Sequence, residues 1–249
     1  MMLSLRQGYI TLKFSAVCLI MLFLFLPQIC LSQLQPLSRN DKAAVQKSIQ
    51  AYESAKEINN MKEASRHLND LAYLYWEHND YRKAIEYYEQ SMEFNKNLNN
   101  ENGLAMLHNN LGMLYSDIGE YLKSLEYFKK TLAARRAYKS KEGMIAALKN
   151  IAVVQNNLKM FDESVKDLQE ALSMARETND PDQISSCFLM LSETYEKAGE
   201  LENTKHYYEL YQQFSTMKKD REIIRIQQIA DEETILKEIE RDPHACFYG

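Results

Sequence analysis

The chain has 249 residues, enough for one domain or two, and its 35 acidic residues against 30 basic ones give a net charge of −5. That balance supplies no field for gathering nucleic acid, and no Lys/Arg stripe recurs at helical spacing, so the sequence argues against nucleic acid as a direct partner. Seven glycines and the absence of a G-x-x-x-x-G-K-[ST] run argue against a phosphate cradle.

Residues 1–32 read as a secretory signal peptide. Arg6 and Lys13 precede the apolar run FSAVCLIMLFLFL, Phe14 to Leu26, and Cys30-Leu31-Ser32 supplies a cleavage site before Gln33. The run is short beside the roughly 20 residues a membrane span needs. The chain is therefore expected to be exported, periplasmic or extracytoplasmic, with an uncleaved anchor over residues 10–29 as the alternative. Cleavage removes Cys18 and Cys30 and leaves Cys187 and Cys246, whose spacing suggests neither a disulfide framework nor a metal knuckle. Cys187 reads as a small buried apolar residue.

Residues 33–60 hold a short linker and then a half repeat. Ala44, Ser48, Ala51, Tyr52 and Ala55 are spaced three and four apart, which predicts one N-terminal cap helix. Residues 61–217 then repeat every 40 residues: Leu71, Leu111, Ile151 and Leu191 stand in register, followed by Ala72, Gly112, Ala152 and Ser192. Ala84, Ser124, Ser164 and Thr204 form a second small row, and Tyr88, Phe128, Leu168 and Tyr208 a large one. A fixed period of this kind predicts stacked helix pairs, with small residues where two helices cross and large ones filling the flanks.

In the first unit Leu68, Leu71, Ala72 and Tyr75 make one face of the first helix, and Ala84, Ile85, Tyr88 and Met92 are the expected core of the second. Gly119 in the second unit suits a left-handed turn residue. The third unit places Lys159 at that register, and Asn157 is the expected substitute should the helix end early. Asp167 reads as solvated. In the fourth unit Asp180 caps a helix opening on Pro181, Gly199 makes the turn, and Tyr207, Tyr208 and Tyr211 load the second helix.

Residues 218–249 comprise a charged helix with Ile223, Ile224, Ile226, Ile229, Ile235, Leu236 and Ile239, stopped at Asp242-Pro243, and a loose tail. The 40-residue register is lost, since Asp231 takes the place of Leu191. The helix is expected either to cap the fourth unit or to dimerise through residues 218–241; its apolar heptad breaks at Glu222, too soon for a sustained coiled coil.

The motif Leu71-Ala72 with Tyr75, then Ala84, Tyr88 and Ser91, together with Leu111-Gly112-Tyr115-Ser124-Phe128-Thr131 and its two successors, resembles the tetratricopeptide repeat (TPR). The resemblance implies an all-α fold, a right-handed α-α superhelix of antiparallel helix pairs, here with a 40-residue period longer than the usual 34. A signal peptide followed by such repeats and an Ile/Lys/Glu-rich helix also resembles the exported sensor portion of TPR-containing histidine kinases and regulators in bacteria such as the Bacteroidetes. No kinase motif follows in this sequence, so that resemblance implies a stand-alone or truncated relative.

Catalytic chemistry is not indicated. His67, His78, His108, His206 and His244 lack ligand spacing, and Cys187 and His206 have no third group to orient them. The expectation is no enzyme, no cofactor and no metal. In the implied architecture the first helices line a concave face, and the residues flanking their packing positions point into it. These are Arg66, Asn69, Tyr73 and Trp76 in unit one, Met106, Asn109 and Met113 in unit two, Lys149 and Val153 in unit three, and Leu189 with Glu193 in unit four. Asparagine amides both donate and accept, which suits an extended peptide backbone, and the large side chains supply pockets. The expected function is a protein- or peptide-binding scaffold; the alternative is a sensor fragment signalling through its C-terminal helix.

Overall fold

A computed structural model of the protein describes residues 37–217. The signal-like residues 1–32 and the charged segment 218–249 lie outside the described residues. Those described are helices and short joints: α1 (Arg39–Glu57), α2 (Met61–Glu77), α3 (Tyr81–Asn97), α4 (Glu101–Asp117), α5 (Tyr121–Ala137), α6 (Lys141–Asn157), α7 (Phe161–Glu177) and α8 (Pro181–Ala198). A further helix, α9, covers 201–217. The chain divides into two compact units, one up to Leu114 and one from Tyr115.

One joint is used throughout. Asn59, Asn79, Asn99, Gly119, Lys139, Lys159, Asn179 and Gly199 all have positive φ, each 20 residues after the last. At the second of them Asn79 N donates to Trp76 O and Asp80 N to Tyr75 O, both at 2.9 Å. That pair of bonds is the Schellman arrangement, which satisfies carbonyls left over at a helix end. The residue after the left-handed one then caps the next helix. Asn60, Asp80, Ser140 and Asp180 each accept a backbone N–H with their side chain, whereas Glu120 and Met160 make no such bond. Each residue between two helices thus serves one end or the other, which keeps the spacing constant.

The third unit departs from expectation here. Asn157 stays helical and Lys159 itself takes the left-handed conformation, at φ 60°. A left-handed turn at Asn157 would forfeit the bonds from Leu158 N to Val154 O (3.0 Å) and from Met160 N to Gln155 O (2.8 Å).

In the first unit Ala64, Leu68, Leu71 and Ala72 of α2 and Ala84 and Tyr88 of α3 are buried together. Ile85 and Met92, expected in the core, are only half-buried, and Ser91 and Asn95 take the interior instead. Ser91 Oγ donates to Ser65 O (2.9 Å), and the Asn95 amide donates to Ser65 Oγ and to Ser91 O. Buried polar groups of this kind are tolerated because they are paired. In the second unit the core runs through Phe128, Leu148, Ile151, Leu168, Cys187 and Leu191.

A second repeating device links the two helices of a hairpin. Tyr75 stacks on Tyr87, Tyr115 on Tyr127 and Tyr195 on Tyr207, each pair with centroids 5.5 Å apart. At the same register the third hairpin has Gln155 and Asp167, and Gln155 Nε2 donates to Asp167 Oδ2 at 2.8 Å. Asp167 is therefore partnered and half-buried rather than solvated, and burial raises its carboxyl above the ordinary carboxylate range.

The large row also changes at its last member. Tyr88, Phe128 and Leu168 are 0%, 2% and 0% exposed, but Tyr208 is 45% exposed and Leu201 76%. α5 and α7, which carry Phe128 and Leu168, each pack against the helix that follows, α6 and α8.

Candidate binding surface

In the first unit the candidate residues come from α2 and α4. The stripes that bury Leu68 and Leu71 on α2, and Leu107 and Leu111 on α4, turn the neighbouring positions outward. Tyr73, Met106 and Met113 are exposed at 51%, 52% and 42%, although large apolar side chains are normally withdrawn from water. Trp76 is partly exposed and forms an edge contact with Tyr73 (6.2 Å) on one side and with buried Tyr88 (6.5 Å) on the other. The aromatic surface thus has an anchored floor. A hydrogen bond from Tyr73 to Glu77 raises the Tyr73 phenol above its usual range.

The asparagines are arranged differently from the matching pair read in the sequence. Asn110 Nδ2 donates to Asn69 Oδ1 at 3.1 Å, while the Asn109 amide points at Met113 Sδ within its own helix (3.5 Å). Asn110 is not among the candidates read from the sequence. Its only signal is its place immediately before Leu111, the place Asp70 holds before Leu71. Arg66 is exposed but engaged: it bonds Glu63 at 2.5 Å and Asp70 at 3.1 Å. The guanidinium holds Glu63 below the ordinary carboxylate range, so Arg66 offers little uncompensated charge.

In the second unit, Val153 of α6 is 46% exposed at the register of Tyr73 and Met113. Lys149 donates to Gln183 Oε1 of α8 at 3.0 Å. Leu189 is partly exposed and Glu193 exposed. Cys187 is fully buried, and burial pushes its thiol up to about 11, which makes it inert as a nucleophile. Among the described residues no group of three His, Cys, Asp or Glu side chains is placed to hold a metal ion. None of the described helices is long and apolar enough to cross a membrane.

Hairpins of paired helices with small residues at the crossings make an all-α fold of the tetratricopeptide-like solenoid kind. The comparisons agree. The tetratricopeptide repeat family model matches residues 64–137, and a model of anaphase-promoting complex subunit 5 matches residues 136–197. Among solved structures the chain is similar to BtubC (BKLC) from P. vanneervenii, with 17% identity and a TM-score of 0.63 over 73% of this chain and 77% of that one. It is also similar to a kinesin light chain-like repeat protein from Podosopora anserina, with 16% identity and a TM-score of 0.63 over 72% of this chain and 88% of that one. A Rap protein complexed with Competence and Sporulation Factor matches with 16% identity and a TM-score of 0.57; 74% of this chain aligns with 51% of that one. At these identities the likeness is one of fold. No curated protein matches.

Proposed function

We propose that the protein is a non-catalytic scaffold, exported from the cytoplasm, that holds an extended peptide or protein segment along its first helices. The observation that carries this reading is the outward row of Tyr73, Met106 and Met113 beside the Asn69–Asn110 amide pair. Apolar side chains there offer pockets, and amides offer bonds to a peptide backbone. The Rap neighbour, solved as a complex, is a precedent for ligand capture on such a fold. Export rests on the pattern of residues 1–32 and predicts a mature chain beginning at Gln33, which N-terminal sequencing reads.

Trp76 is the chain's single tryptophan and lies against Tyr73, so its emission reports on the surface. Peptides selected from a random library on residues 33–249 are expected to shift Trp76 fluorescence. The Tyr73→Ala/Met113→Ala variant should bind them at least about tenfold more weakly, about 1.4 kcal/mol. Leu122→Ala, which removes a still more exposed apolar group from α5, should bind as the parent does. Equal binding by all three proteins would remove the groove reading.

A second reading is favoured by the uncovered aromatic face of α9. In it the protein is a sensor or regulator fragment, akin to the exported portion of repeat-containing kinases, that signals by pairing its C-terminal segment with another chain.

A further inference from the structure

We infer that Met106 and Met113 are a peroxide-responsive modification site: their oxidation to methionine sulfoxide closes the binding surface, and reduction of the sulfoxides reopens it. The inference rests on the groove reading and adds a regulation to it.

The first support is placement. Met106 and Met113 lie seven residues apart on α4, two turns along one face, with Asn109 and Asn110 between them. They flank the amide that donates to Asn69 Oδ1 at 3.1 Å. Any segment held at that amide pair therefore lies within one helical turn of both thioethers. Leucine fills the neighbouring inward positions, Leu107 and Leu114, at 3% and 0% exposed, while methionine stands outward at 52% and 42%. Met61, Met92, Met144, Met160, Met174 and Met190 are half-buried. Among the described residues only Met217, at the last position of α9, shares the exposure of the α4 pair.

The second support is chemistry. A thioether attacks a peroxide as a nucleophile: a sulfur lone pair forms the S–O bond and the O–O bond breaks. The released hydroxide takes the proton of the transferred oxygen and leaves as water. Sulfur loses two electrons and the peroxide gains them. Peroxide arrives from the solvent, so exposed thioethers react ahead of half-buried ones. The product replaces a flexible apolar side chain with a polar one. An apolar ligand group that covers it must strip water from the sulfoxide oxygen, a cost the thioether does not impose. At Met113 the new oxygen has a donor at hand. The Asn109 amide already donates to Met113 Sδ at 3.5 Å, a weak bond because sulfur is a weak acceptor. A sulfoxide oxygen accepts the same N–H more strongly, which fixes the oxidised side chain beside Asn109.

The test uses the mature chain, residues 33–249, with Cys246→Ser, since Cys187 is buried and unreactive. A Met106→Leu/Met113→Leu variant of the same chain is treated in parallel. Each protein is exposed to hydrogen peroxide, freed of it, mapped by mass spectrometry and titrated with a peptide selected on the untreated parent. Met106 and Met113 should take up oxygen well before the half-buried methionines. The oxidised parent should keep its helicity and bind at least about tenfold more weakly. Methionine sulfoxide reductases A and B, one for each sulfoxide epimer, should restore its affinity. The leucine variant binds as its own side chains allow, and that affinity should not move on treatment, although Met217 is oxidised in both proteins. Uniform oxidation of all the methionines would overturn the inference, as would a loss of helicity, an equal loss of binding in the leucine variant, or no recovery on full reduction. If no peptide binds the untreated parent, the groove reading fails and this one with it. Binding that survives sulfoxide formation at Met106 and Met113 removes this one alone.

Discussion

Lys159 shows how a global arrangement overrides a residue's own preference. A side chain with a Cβ in the left-handed region costs roughly 1–2 kcal/mol, and asparagine or glycine bears it better. The chain accepts that cost because the joint bonds fix which residue must turn. Lys159→Gly should therefore stabilise the protein by up to about 1 kcal/mol, the relief being offset in part by the greater freedom of glycine when unfolded. Lys166→Gly, in the middle of α7, should instead cost about 1 kcal/mol. Urea unfolding measures both. Destabilisation at Lys159 comparable to that at Lys166 would mean that the left-handed conformation carries no strain there.

At the scale of elements, the hairpin is held by one cross-helix pair at a fixed register, in two chemical versions. Three hairpins use a tyrosine stack, worth about 0.5–1.5 kcal/mol beyond area burial; the third uses Gln155 and Asp167. Each version works only as a pair. Gln155→Tyr leaves a half-buried carboxylate without its amide and should destabilise by about 1–3 kcal/mol. Adding Asp167→Tyr should recover most of that loss, a coupling that a double-mutant cycle measures. The pH dependence gives a second readout. Since burial raises the folded-state pKa of Asp167 above its unfolded value, the ionised group opposes folding above the raised pKa. That penalty is relieved as pH falls through it toward the ordinary 3.8. The double tyrosine variant should lack this contribution to the slope. Additive single effects would show that the two positions do not act as a unit.

The same pair marks the boundary of what the sequence discloses. The row from Leu71 to Leu191, the joints at Gly119 and Gly199 and the cap at Asp180 are local or strictly periodic, and all were readable. Asp167 was misread because its partner lies on another helix and the exchange of Tyr–Tyr for Gln–Asp is visible only when both positions are compared together. The Asn69–Asn110 bond was hidden for a similar reason, since it joins residues one place out of register. Tyr208 kept its register but lost its cover, a property of its neighbours rather than of its own position.

In the whole molecule, stability is distributed unevenly because each helix is stabilised mainly by adjacent ones. α1 buries only Val45 and Ala55, whereas α6 alone buries Ile145, Ala147, Leu148, Ile151, Ala152 and Val154. Amide exchange should therefore be slowest in α6 and α7 and fastest in α1, with opening free energies falling toward the first described helix. Leu148→Ala, at a site 0% exposed, should cost about 2–5 kcal/mol. Val45→Ala, at the edge of the packing, should cost less and speed exchange only in α1 and α2. The informative comparison is the second variant. If Val45→Ala accelerated exchange equally in α7, the protein would open as one cooperative block rather than as a series of neighbouring hairpins. Confinement to α1 and α2 would show that a terminal helix can loosen while the hairpins beyond it stay closed.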